Sequence, residues 1–171
     1  TVKSAENMKK IGREMAEKIV NGKKKNAIVF ALFGELGSGK TTFAQGFLEY
    51  FGIKKANSPT FVIMKKYVYE NPKSKIQSLN KAKNPKFLPA GDVPKGHKIQ
   101  KFYLYHIDCY RIHNSRDLIE LGFQEIVKDS HNIILIEWAD RIGDLLPKNT
   151  ICINFKHKSE KERIVEVFNF Q

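Results

Sequence analysis

An α/β fold is what this sequence predicts: one domain with a mostly parallel central sheet, flanked by helices and ended by a C-terminal antiparallel hairpin. Three observations lead there. The run Ile28-Val29-Phe30-Ala31-Leu32-Phe33 is apolar and stops at a glycine, as a parallel strand buried on both faces does. Gly34-x4-Gly39-Lys40-Thr41 follows at once, with the spacing of a phosphate-binding P-loop between a strand and a helix. A second aliphatic run, Ile133 to Ile136, ends in Glu137, in outline a Walker B strand with Glu where Asp is more usual. Together these specify a fold of P-loop NTPase type.

The chemistry accounts for the residue types in the loop. Glycines let successive backbone N–H groups turn inward around phosphates, where a side chain would obstruct the approach. The cradle runs through Gly34, Glu35, Leu36, Gly37, Ser38, Gly39, Lys40, Thr41 and Thr42. Lys40 can reach the β- and γ-phosphates, the Thr41 hydroxyl can ligate Mg²⁺, and the helix dipole adds partial positive charge. A nucleoside triphosphate is the expected ligand.

The remaining elements follow in order. Met8, Ile11, Met15 and Ile19 recur at helical spacing between Ser4, a plausible N-cap, and Val20. After the P-loop, Phe43, Ala44, Phe47, Leu48 and Phe51 form one apolar helix face, and Gly52 closes it. Asn57-Ser58-Pro59-Thr60 is a turn opening a strand-like run from Phe61 to Tyr69. Its hydroxyls suit either a switch over the γ-phosphate or a plain turn. Phe102 to Asp108 reads as a strand whose acid lies at the carboxyl end, where doubly wound sheets bind ligands. Ser115 is placed to cap a short helix over Arg116 to Leu121, stopped at Gly122. Ile151–Phe155 and Ile164–Phe168 alternate, with a polar turn between them.

Composition sets the bounds. At 171 residues a single domain spanning 1–171 is expected. No run approaches the ~18 apolar residues that span a membrane. Cys109 and Cys152 lie far apart without metal-ligand spacing, which suits buried free thiols and a cytoplasmic protein. His97, His113, His131 and His157 follow no ligand spacing, and His106 has no nucleophile pattern beside it. The net charge is +12, and residues 71–101 hold eight lysines and four prolines against one acid, Asp92. That stretch reads as a basic insertion in loop form, either solvated or contacting a polyanion such as tRNA.

The motif order resembles the TsaE (YjeE) family. It is carried by Gly34–Thr42, Ser58-Pro59-Thr60-Phe61, His106-Ile107-Asp108-Cys109-Tyr110-Arg111, Leu121-Gly122-Phe123 and Glu137-Trp138. The resemblance implies a bacterial ATPase that binds ATP and Mg²⁺ and hydrolyses ATP slowly. It would support the TsaD and TsaB proteins in forming N6-threonylcarbamoyladenosine at position 37 of ANN-reading tRNAs, without being the transferase. Carried onto matching positions, Lys40 and Thr41 hold phosphate and Mg²⁺, with Thr42 beside them. Glu137 completes the metal site and Asp108 orients the attacking water, so Lys40, Asp108 and Glu137 form the catalytic set. Thr60 belongs to the switch-like turn, and Trp138 lies at the site's edge. The family's N-terminal Ser-x-Glu-Thr reads Ser4-Ala5-Glu6-Asn7 here, which puts Asn7 in place of the nucleotide-side Thr. Residues 71–101 are the second departure, since the family implies a much shorter hairpin connection. Two other functions fit a P-loop: a small kinase phosphorylating a metabolite, and a basic RNA-binding module with a structural nucleotide site. Arg111, Arg116 and Arg141 are too scattered for an arginine-rich lid, and Asp108 argues against a purely structural site.

Overall fold

The computed structural model describes residues 1–20, 26–54, 56–71 and 100–170. Its elements are α1 (Ala5–Val20), β1 (Ile28–Phe33), α2 (Lys40–Tyr50), β2 (Met64–Asn71), β3 (Gln100–Asp108), α3 (Ser115–Glu120) and α4 (Phe123–Ile126). They continue with β4 (Asn132–Glu137), a 3₁₀ segment (Ala139–Leu145), β5 (Ile151–His157) and β6 (Arg163–Asn169). The sheet order is β2-β3-β4-β1-β5-β6. The inner strands β3, β4, β1 and β5 are parallel, and β2 and β6 close the two edges as antiparallel partners. This is the α/β architecture the sequence predicts, down to the C-terminal hairpin.

Strand alternation divides the core in two. Phe30, Leu32, Leu104, Ile133, Leu135, Ile153 and Phe155 face α1 and α2. Val29, Ala31, Ile107, Ile134, Ile136 and Cys152 face α3, α4 and the 3₁₀ segment through Leu118, Phe123 and Ile142. β4 is buried along its whole length, so its continuous aliphatic run is explained by packing on both faces. The expected face of α2 is borne out, with Phe43, Ala44, Phe47, Leu48 and Phe51 all buried. A buried aromatic of this size stabilises by about 1.5–3 kcal/mol. Gly52, at φ 81°, ends that helix as expected.

Helix α1 meets α2 more closely than its methionine and isoleucine spacing implies. Met8 is buried, while Ile11, Met15 and Ile19 pack at the margin; Gly12 and Ala16 lie at the contact itself. A Cβ on Gly46 would stand 2.1 Å from the Lys9 carbonyl oxygen, and one on Gly12 2.4 Å from that of Phe43. Glu49 clamps the same pair of helices, accepting from Lys9 Nζ at 2.7 Å and Arg13 at 2.8 Å.

Three local expectations are corrected. The strand expected from Phe61 begins at Met64, because the N–H groups of Val62 and Ile63 both bond the Pro59 carbonyl and hold residues 59–63 in a turn. The helix expected behind a Ser115 cap is capped by Asn114, whose extended backbone lets its side chain accept the Arg116 N–H at 2.9 Å. Ser115 is instead its first residue, donating to Asp144 at 3.0 Å. The stretch 71–101 is not loop at its ends, since Asn71 pairs with Gln100 and Glu70 with Lys101 across β2 and β3. The loop reading of the residues between, 72–99, lies outside the described residues. Among the described residues no helix is long and apolar enough to cross a membrane. Both cysteines are buried and free.

Candidate functional site

The site is built where β1, β3 and β4 end together. β1 feeds directly into the Gly34–Thr42 loop, and the loop into α2. Gly34 sits at φ 134°, where a Cβ would lie 2.3 Å from the Phe155 carbonyl oxygen, so no other residue fits that turn. The loop is tethered from outside by the C-terminal hairpin: the His157 ring bonds the Leu36 carbonyl at 3.3 Å and Arg163 donates to Gly37 at 3.4 Å. Glu35 and Leu36 are exposed at its tip. No side chain caps the start of α2. Beneath it the Ser38 hydroxyl is fully buried without a hydrogen-bond partner. An uncapped helix start over an orphaned hydroxyl, inside a loop wound by glycines, fits an anionic phosphate.

Lys40 is buried and folded back over the loop. Its Nζ donates to the carbonyls of Gly34 (2.6 Å) and Glu35 (2.8 Å) and stands 3.7 Å over the Trp138 ring. Burial pulls the ammonium below the usual lysine range, while the carboxylates of Glu137, Asp140 and Asp108 pull the other way. Neutral carbonyls are weaker acceptors for an ammonium than phosphate oxygens.

Glu137 and Asp108 are opposite each other in the β3–β4 register and share the α2 side of the sheet. Glu137 Oε2 accepts from the Thr41 hydroxyl at 2.6 Å. Its other oxygen, Oε1, is bonded to His106 Nε2 at 2.9 Å. Asp108 Oδ2 accepts from Ser58 and, at 2.5 Å, from Thr60; Oδ1 accepts from the Tyr110 N–H at 2.9 Å. The hydroxyl turn thus grips the second acid. Backbone strain flanks both acids: Ile63 at φ 63° bonds the Asp108 N–H, and Trp138 at φ 57° follows Glu137. These are the non-glycine residues at positive φ among the described residues. Such conformations cost on the order of 1–3 kcal/mol each and collect at functional sites.

Thr41 with Glu137 is a donor set suited to Mg²⁺, which keeps several waters and needs only one or two protein oxygens besides phosphate. Among the described residues no group of three or more His, Cys, Asp or Glu could cage an ion. Beside the loop a cavity of about 180 Å³ is lined by Ser4, Ala5, Met8, Gly39, Thr42 and Arg163. A larger one, about 250 Å³, between Lys9, Glu49 and Asn57 touches no P-loop residue, so size alone would misplace the site.

The structure brings Lys40, Thr41, Glu137 and Trp138 together, with Thr60 joined to Asp108, and places Thr42 on the smaller cavity. Asn7 is not brought in: its side chain is exposed, and its N–H is the one that Ser4 Oγ caps at 3.1 Å. Sequence patterning gives His106 no role, although period-two alternation with Asp108 is the signal that sets both on one face. Ser58 acting on Asp108, and Met8 under Gly39, carried no local signal. The Cys109 thiol is pushed up to about 12, first by burial and then by Asp108 and Asp140, which excludes it as a nucleophile.

Comparison with known proteins gives the chain's family and its fold neighbours. The chain matches the family model described as threonylcarbamoyl adenosine biosynthesis protein TsaE over residues 2–79 and 89–165. It is 31% identical over 163 residues to the tRNA threonylcarbamoyladenosine biosynthesis protein TsaE of Rickettsia prowazekii, covering 94% of this chain and 90% of that protein. It is 34% identical over 136 residues to the Bacillus subtilis protein of the same name, covering 79% of this chain and 65% of that one. The crystal structure of Bacillus subtilis YdiB superposes with a TM-score of 0.60 at 28% identity, over 99% of this chain and 82% of that one.

Proposed function

The chain belongs to the TsaE family of tRNA threonylcarbamoyladenosine biosynthesis, and on that premise we propose that it is a slow, Mg²⁺-dependent ATPase that supports the TsaD and TsaB proteins in the cytoplasm. The observation that carries this reading is the 2.6 Å contact between the Thr41 hydroxyl and the Glu137 carboxylate. It joins the first turn of the P-loop helix to the end of the Walker B strand, where a metal–phosphate group requires a hydroxyl and an acid together.

Thr41 and Glu137 hold the ion, directly or through water; when bound, it supplies positive charge that stabilises the phosphates. Lys40 leaves its two carbonyl partners for the β- and γ-phosphates, a stronger acceptor for an ammonium. The loop N–H groups of Gly37 to Thr42 bind phosphate oxygens, and the nucleoside end takes the cavity between α1 and the C-terminal hairpin. Asp108 orients the attacking water, with Ser58 and Thr60 fixing the carboxylate in place. The ATP cycle then serves turnover of the partner complex, which carries out the transfer. The lysines of 71–101 extend the reading to contact with tRNA phosphates.

Titration calorimetry with ATP, with Mg²⁺ or with chelator, tests the site. Lys40→Ala should lose at least about tenfold in affinity, or ~1.4 kcal/mol. Unchanged affinity would sink the assignment. Pull-down with TsaD and TsaB tests the rest: capture should depend on ATP, and its absence under both conditions removes the partners from the reading.

A further inference from the structure

The buried histidine behind the acid has no part in the reading above. His106 lies two residues before Asp108 on β3, opposite Leu135 of β4, and its side chain and that of Glu137 are each 1% exposed. The carboxylate can only accept, so Nε2 carries the hydrogen that spans the 2.9 Å to Oε1. Nδ1 is buried without a hydrogen-bond partner. One ring nitrogen therefore makes a single, directed bond, and that bond fixes which Glu137 oxygen is free to turn. With Oε1 held, Oε2 is presented to Thr41 Oγ1.

We propose that His106 is the positioning residue of the metal site: its Nε2–H clamps Oε1 of Glu137 so that Oε2 and the Thr41 hydroxyl face a divalent cation together. The proposal rests on the ATPase reading above and adds a residue to it. Partners standing behind a metal-binding side chain fix its orientation, and losing one costs about ten- to a hundredfold in metal affinity.

The side-chain amides distinguish this role from that of a buried polar filler. A Gln amide nitrogen reaches about as far as His Nε2, whereas an Asn nitrogen reaches only as far as Nδ1. Binding of a non-hydrolysed ATP analogue is measured by calorimetry for the whole chain, with Mg²⁺ and with chelator, beside the thermal midpoint. His106→Asn should lower the Mg²⁺-dependent affinity by about ten- to a hundredfold and leave chelator-side affinity within about twofold. His106→Gln should restore it to within about threefold. In a Glu137→Ala background, His106→Asn should cost nothing further, because it acts through the missing carboxylate. Equal Mg²⁺ dependence for wild type and His106→Asn overturns the proposal, as does an equal loss in the Asn and Gln variants. An additive loss beside Glu137→Ala overturns it too. A wild type that binds the analogue no better with Mg²⁺ than with chelator instead overturns the ATPase reading, and the inference with it.

Discussion

Gly46→Ala tests the α1–α2 contact that carries the P-loop helix. In an exposed helix the substitution would stabilise by up to about 1 kcal/mol, because alanine is the better helix former. Here the new Cβ would stand 2.1 Å from the Lys9 carbonyl oxygen, 2.4 Å from its Cα and 2.6 Å from its carbonyl carbon. Carbon contacts are comfortable at about 3.5–4 Å, and every atom met is backbone, so no rotamer change relieves the clash. Helix α1 must move away by more than about 1 Å. That loosens Met8 and Ala16 against Phe43 and Phe47. Overpacking of this kind costs about 1–3 kcal/mol or more. Set against the propensity gain, a net loss of about 2 kcal/mol follows at the upper end. For a domain of this size that lowers the thermal midpoint by about 4–8 °C. Gly143→Ala is the control, since a Cβ there meets nothing within 4 Å, and it should stay within about 0.5 kcal/mol of wild type. Thermal unfolding followed by circular dichroism decides the matter. A Gly46→Ala midpoint equal to or above wild type would refute the close-approach argument.

The two acids should separate kinetically: Asp108→Asn should keep nucleotide affinity and lose hydrolysis, because it acts mainly in the transition state. Glu137→Ala should weaken Mg²⁺-dependent binding, and identical profiles for both would show that the roles are wrongly divided. Stability should also depend on acid through Glu49. The Lys9 ammonium, bonded to its carboxylate, holds it below the ordinary glutamate value, burial opposes this, and Arg13 adds to it. A depressed carboxylate stabilises the fold above the unfolded value of about 4.3 and loses that contribution as pH falls through the folded one. Thermal midpoints from pH 6 down to about 3 should therefore fall more steeply for wild type than for Glu49→Gln, and parallel curves would remove Glu49 from the account.

What the sequence made legible was local. The P-loop spacing, the buried runs of β1 and β4 and the acids ending β3 and β4 are each set by neighbours along the chain, and the structure places them as read. What escaped depends on contacts between distant segments. By helix propensity alone Gly12 and Gly46 only weaken their helices, and the reason for both lies in the crossing of α1 on α2. Asn114 and Ser115 are both good caps, and only the backbone at Asn114 chooses between them. Pro59 delays β2 by drawing two N–H groups onto one carbonyl. The His106–Glu137 bond needs the register of β3 on β4, a pairing that no single strand encodes.

The rung between Asn71 and Gln100 has a consequence for how this protein can vary. β2 and β3 carry the Asp108 end of the site at one extremity, where Met64 pairs with Ile107, and join through residues 72–99 at the other. Roughly 24 Å of strand, at about 3.4 Å per residue, separates the two. Closing a connection of roughly thirty residues in place of four costs only about 1.8 kcal/mol, because ring-closure entropy grows with the logarithm of length. The hairpin end is thus an insertion port, thermodynamically cheap to lengthen and mechanically remote from the Asp108–Glu137 end of the sheet. Sequence can be gained or lost there while the paired carboxyl ends of β3 and β4 stay as they are.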